Sequence, residues 1–295
     1  MSKILKIDSI AQIHKMVGYE KPKHPLISVI AKEKIKLQNI PDLNLPVSTS
    51  LYSISLKNGK ECRIIYGRQP YDFQEGSLMF LAPDQLITPI SETVNTDWID
   101  LSGWILLFHP DLIRKSPLAQ KMKEYTFFSY DSHEALHVSE QERKTVTNIV
   151  KSIKQECSQN IDVYSQELII SNIELLLNYC KRFYGRQFIT RTNAHKDVVI
   201  RFEGFLTTYF ESEKPEIHGL PSVKFCGEQM GYSPNYLSDL LKQETGKNTQ
   251  EQYSEYEIIS CYILATSKPD WKQPDKASFY DSHASPDLHS TSGIN

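Results

Sequence analysis

The stretch GYSPNYLSDLLKQETG, residues 231 to 246, constrains this chain more than any other. Ser233 can cap a helix N-terminus with its hydroxyl, and Pro234 then takes the first helical position, where its missing N–H costs nothing. Leu237, Leu240 and Leu241 fall at i, i+3 and i+4, which makes one buried stripe. Gly246 can close the helix with positive φ. Just upstream, SVKFCGEQM (222 to 230) is a second short helical pattern, with Phe225 and Met230 as its expected core residues. Gly227 is small enough for close helix packing, and Gly231 makes the turn. The two patterns together predict a helix-turn-helix. Short helical pairs of this kind also serve as plain packing units in α domains. Asn235, Tyr236, Ser238, Asp239 and Lys242 are expected to point outward. Asn and Ser can read base edges and Lys can hold a phosphate, whereas Asp239 repels one.

A wider run carries a family resemblance. LPSVKFCGEQMGYSPNYLSDLLKQETGKNTQE (220 to 251) resembles the first helix-turn-helix of the AraC/XylS-type transcriptional regulators. The matching positions are Gly227, Met230, Tyr232, Ser233-Pro234, Leu237, Leu240-Leu241 and Thr245-Gly246. The family usually carries Ala where Gly227 stands and often a basic residue where Asp239 stands. The resemblance implies double-stranded DNA as partner. Its candidate contacts are Ser233, Pro234, Asn235, Tyr236, Ser238, Asp239 and Lys242.

At 295 residues the chain is long enough for two domains with separate cores. Its 40% hydrophobic and 23% charged content is that of an ordinary globular protein. No apolar run is long enough to span a membrane, and no signal peptide is legible at the N-terminus. Five scattered cysteines without a CxxC pair suit a reducing cytoplasm, which is the expected location. The net charge of −3 sets up no global field that attracts nucleic acid. Between Ser222 and Asn248, Lys224, Lys242 and Lys247 stand against Glu228, Asp239 and Glu244. Phosphate neutralisation therefore contributes little per subunit.

Residues 1–135 read as a β domain. LISVIA (26 to 31), GSLMFLAP (76 to 83) and WILLF (104 to 108) are compact apolar runs. LYSISLKNGKECRIIY carries two strand patterns about Asn58-Gly59, a strong hairpin signal. Short strands with turn residues between them predict a small barrel or double-sheet roll. DFQEGSLMFLAPDQ and GWILLFHPDLI also resemble the cupin-like sensing domain of some AraC-type regulators, which implies a small-molecule effector or a purely structural module. Tyr52, Tyr66, Phe80 and Trp104 are the candidate ligand-binding residues, as is Trp98 in a wider set. Aromatic residues at strand spacing also serve simply as core. A metal-binding cupin needs several converging His and a carboxylate, and no His-x-His pair exists here. His109, before Pro110, suits a capping or loop role. No metal, cofactor or catalytic cluster is expected, and neither is enzyme activity.

Residues 136–187 read as a helical dimerisation region. Ser139 and Glu142 form a capping-box pair, followed by the stripe Val146, Ile149, Val150, Ile153 and Cys157. In the next helix Ile169, Ile173, Leu176, Cys180 and Phe183 form one line. Leu168, Leu175 and Tyr179 lie on another side. Burial on two sides is expected: one side on the sensor, the other on a second subunit of a homodimer or within a single-chain helical hairpin. QFITRTNAHKD (187 to 197) is polar and predicts a linker. VVIRFEGFLTTYF (198 to 210) predicts the helix that opens the DNA-binding part, 196–266. EYEIISCYILATSK (255 to 268) resembles the family's connecting helix. The second helix-turn-helix of the family has no counterpart, and 267–295 reads as a disordered tail.

The expected fold class is thus α+β: an N-terminal cupin-like β roll, a helical dimerisation middle, and an all-α helix-turn-helix module without its second half. The expected function is sequence-specific transcriptional regulation with reduced DNA affinity. The alternative is a ligand-sensing dimerisation protein with little DNA binding of its own, acting through mixed dimers.

Overall fold

Strand and helix signals follow one another along the chain, and the computed structural model realises them in that order. It describes residues 4–36, 45–57, 65–66, 69–70, 76–87, 102–131, 134–159, 162, 164–190, 192–212, 214–219, 221–247 and 249. The strands are β1 (Leu5–Ile7), β2 (Ile27–Ala31), β3 (Val47–Thr49), β4 (Tyr52–Lys57), β5 (Ile65–Tyr66), β6 (Gln69–Pro70), β7 (Ser77–Leu81), β8 (Leu86–Ile87), β9 (Gly103–Phe108) and β10 (Leu136–His137). The helices are α1 (Ile10–Met16), α2 (Pro110–Ile113), α3 (Leu118–Lys121), α4 (Glu140–Glu156), α5 (Ser165–Thr190), α6 (Thr192–Glu211), α7 (Lys214–His218), α8 (Val223–Met230) and α9 (Pro234–Thr245). The chain is mixed α+β, with the strands in its N-terminal part and the long helices after them.

The main sheet has five antiparallel strands in the order β10-β7-β4-β9-β2. Period-2 alternation decides its two faces. On one face Ile54, Leu56, Leu106, Phe108, Leu78 and Phe80 join the core beneath the helices. On the other, Ile30 and Leu107 pack with Ile10, Val17 and Leu51 around α1. The runs 26–31, 76–83 and 104–108 become β2, β7 and β9. The strand pattern before Asn58-Gly59 becomes β4, while the turn and most of the strand pattern after it lie outside the described residues. β4 is paired along Ser53–Lys57 by β7 and along Tyr52–Lys57 by β9, so neither edge is left for the strand that follows it. β5 pairs instead with β6.

α4 begins with the expected capping box: Ser139 Oγ accepts from the Glu142 N–H, and the Glu142 carboxylate accepts from the Ser139 N–H. Val146, Ile149, Val150 and Ile153 are buried on the sheet side, and Cys157 is half-buried. In α5 the line Ile169, Ile173, Leu176, Cys180 and Phe183 is buried within the chain. The second line is not. Leu168 is 50% and Leu175 46% exposed, while Tyr179 is half-buried. Arg186 ties three elements together: Nε and Nη2 donate to the two Glu142 carboxylate oxygens at 2.7 and 3.0 Å, and Nη2 donates to the His137 carbonyl at 2.7 Å.

The polar linker expected over Gln187 to Asp197 is helical on both sides of residue 191. Gln187 is buried because its amide bridges the backbone of β10: Oε1 accepts from His137 N–H at 2.8 Å, and Nε2 donates to the Ala135 carbonyl at 3.3 Å. Phe188 is buried next to it. Tertiary partners for two residues have thus outweighed the polarity of the segment. The core beneath the sheet continues through α5 and α6 to α8 and α9 without a break. Trp98, the Asn58-Gly59 turn, the Tyr66 side chain, the expected connecting helix and the tail lie outside the described residues. No helix among the described residues is long and apolar enough to cross a membrane.

Candidate nucleic-acid interface

α8 and α9 are built by their caps. Ser222 Oγ accepts from Phe225 N–H and opens α8; Gly231, with φ of 77°, closes it. Ser233 Oγ accepts from Tyr236 N–H at 3.3 Å, Pro234 sits in the first turn, and Gly246, with φ of 76°, closes α9. Leu237, Leu240 and Leu241 are buried as the spacing predicts. In α8, Cys226 and Met230 are buried, whereas Phe225, an expected core residue, is only half-buried, against Phe205 and Tyr209. Gly227 is where the two helices meet. A Cβ there would lie 2.6 Å from the Tyr232 carbonyl oxygen and 3.3 Å from Pro234 N. No side chain fits without a backbone shift.

The outward face of α9 is narrower than expected. Asn235 and Lys242 are exposed and Ser238 is half-exposed. At i, i+3 and i+7 they make one stripe. Pro234 is half-buried at the helix start. Tyr236, expected to face outward, does not: it is 3% exposed. Its ring lies edge-on to Tyr130 at 5.2 Å, packs on Phe188 at 5.2 Å and stacks on Tyr232 at 5.4 Å. Asp239 also turns inward. Its Oδ2 accepts from Thr126 Oγ1 and from Tyr130 OH, both at 2.6 Å. Burial, reinforced by the Asp239 charge, holds the Tyr130 hydroxyl well above the usual tyrosine range, so it stays a hydrogen-bond donor even in alkaline solution.

Ser233 is held most tightly. It is 3% exposed, and its backbone N–H donates to Glu134 Oε1 at 2.6 Å while its hydroxyl donates to Glu134 Oε2. Glu134 is equally buried, and Asp131 N–H donates to its Oε2 at 2.7 Å. A carboxylate at the start of α9 gains from the unsatisfied N–H groups and the helix dipole. A DNA phosphate would seek the same place. Thus Ser233, Tyr236 and Asp239 face the N-terminal part of the chain, and Asn235, Ser238 and Lys242 face away from it. Thr126, Tyr130 and Glu134 carry no local sequence signal of this role, because their partners lie about a hundred residues further on.

Of the candidate ligand-binding aromatics, Tyr52, Phe80 and Trp104 sit in the core beneath the sheet. Tyr52 stacks on Phe108 at 4.9 Å and meets Phe128 edge-on. Phe80 is buried among Phe127, Phe128 and Tyr184. Trp104 is 7% exposed and donates its indole N–H to Thr147 Oγ1 at 3.1 Å. It floors an open cavity of about 210 Å³ lined also by Arg143, Lys144, Asn148 and Lys151. His109 caps α2 by accepting from Asp111 N–H. Among the described residues no three His, Cys, Asp or Glu converge where they could hold a metal ion. No protein-family model matches this chain, and no curated protein matches it.

Proposed function

We propose that this chain is a DNA-binding transcription regulator of the AraC type, in which α9 reads double-stranded DNA and the N-terminal part acts as a cupin-like sensor that holds α9 in check. The observation that supports it is the capped α8–turn–α9 pair, packed through Gly227, with Asn235, Ser238 and Lys242 in one outward stripe. A recognition helix presents its N-terminal residues to base edges, and a lysine one or two turns on can reach phosphate. The active unit is a homodimer in the cytoplasm, which supplies two copies of α9. Affinity is modest, because the charge of residues 222 to 248 balances.

A salt-dependent titration of DNA from upstream of the chain's own gene tests this reading. Asn235→Ala should cost about 1–3 kcal/mol and relax sequence preference. Lys242→Ala should lower the salt slope by about one for each phosphate it neutralises, with little effect on preference. Binding that neither substitution changes would remove α9 as the reader.

A second reading has its own observation. Ser233, Tyr236 and Asp239 are engaged by Glu134, Phe188, Tyr130 and Thr126. A chain locked in that form would be a sensing dimerisation module that acts through mixed dimers. Absence of DNA binding even after the Glu134 carboxylate is removed would favour it.

A further inference from the structure

Lys57 ends β4 on the sheet face opposite the main core. It is 6% exposed, and its Nζ has no hydrogen-bond partner among the described residues. Lysine is rarely buried without a partner, because an uncompensated ammonium away from water is costly. Its neighbours in the sheet are small or polar. The register sets Gly103 on one side of Lys57 and Ser77 on the other, both small. Ser77, 1% exposed, stands opposite His137, and Ser77 Oγ shares a hydrogen bond with His137 Nδ1 at 3.2 Å. Directly paired residues of an antiparallel sheet share a face. Lys57, Ser77 and His137 therefore form one polar row across β4, β7 and β10.

We propose that this row binds the oxyanion head of a small acidic effector, with the Lys57 ammonium and the Ser77 hydroxyl on the anion and His137 orienting Ser77. The proposal rests on the sensor part of the function proposed above and names its ligand class. The row ends at His137, on the same short segment as the carboxylate that holds α9. Glu134 is three residues before His137, and Gln187 and Arg186 clamp the backbone between and beside them. An anion on Lys57 and Ser77 thus acts, through the Ser77–His137 hydrogen bond, on the segment that restrains the reading helix. It can shift that restraint only by its difference in affinity between the held and released forms.

The test is thermal unfolding of the full chain in sodium acetate, sodium phosphate or sodium chloride at matched ionic strength, for the natural protein and for Lys57→Met. Acetate or phosphate should raise the melting temperature of the natural protein over chloride by about 2–5 °C. Lys57→Met should lose that rise, and in chloride it should melt no lower than the natural protein. General exclusion of these salts from protein surfaces acts on both proteins alike, so the difference isolates the site. A rise with acetate alone points to a carboxylate effector, with phosphate alone to a phosphorylated one. If Lys57→Met does not fold, Ser77→Ala reads the same row and should at least halve the rise. No rise in the natural protein, or an equal rise in whichever variant folds, overturns the proposal. DNA titration of the same proteins is a separate readout: no DNA binding, with the Lys57-dependent rise intact, would sink the regulator reading and leave the anion site standing.

Discussion

Glu134 and Ser233 decide how much of α9 can meet a partner. The carboxylate takes two hydrogen bonds from Ser233 and one from Asp131, and Asp239 takes two more from Thr126 and Tyr130. Hydrogen bonds to a charged acceptor contribute about 1.5–3 kcal/mol each when buried. Glu134→Gln keeps the shape and one acceptor oxygen but removes the charge. It should weaken the hold on α9 by about 1–3 kcal/mol and raise DNA affinity by up to about a hundredfold, as far as the held form dominates. Glu134→Gln bound no more tightly than the natural chain, by fluorescence anisotropy with the same DNA, would mean that Glu134 does not compete with DNA. Asp239 also answers a question raised by the family resemblance. Where AraC-type regulators often carry a basic residue, this chain has an acid, and the acid is used inward, accepting from the Tyr130 and Thr126 hydroxyls.

Among the elements, α5 shows which apolar line the chain itself leaves uncovered. Ile173 and Leu176 are 0% exposed within one chain, while Leu168 and Leu175 stand out into solvent. Leu168→Asp combined with Leu175→Asp should therefore yield folded monomers in sedimentation experiments if this face joins the two subunits. Ile173→Asp should instead unfold the helical layer, at a cost of several kcal/mol, because it buries a charge without a partner. A folded dimer after Leu168→Asp and Leu175→Asp would move the subunit interface elsewhere. The α8–α9 pair makes a different demand. Gly227→Ala would place a Cβ 2.6 Å from the Tyr232 carbonyl oxygen, and the obstacle is backbone rather than a flexible side chain. The expected destabilisation is about 1–3 kcal/mol in chemical denaturation, with the two helices spread apart. Unchanged stability would show that the turn relaxes at no cost.

Across the chain as a whole, local chemistry was legible in the sequence and its long-range use was not. Ser139 with Glu142, Ser233-Pro234, Gly231 and Gly246 signalled helix ends because a cap acts within four residues of itself. The apolar runs of β2, β7 and β9 and the buried lines of α4 and α5 were readable because a face repeats at a fixed period. The linker reading of Gln187 to Asp197 misled for the same reason in reverse. Its local preference is overruled by β10 and Tyr236 from far along the chain. Residue order alone dictates where elements start, stop and turn their apolar sides, since those effects reach only a few residues. It takes the folded chain to bring Glu134 to Ser233, to turn Asp239 inward and to bury Lys57 beside Ser77. A buried carboxylate or ammonium takes its partner from whatever packing brings within about 3 Å, and no periodicity encodes that.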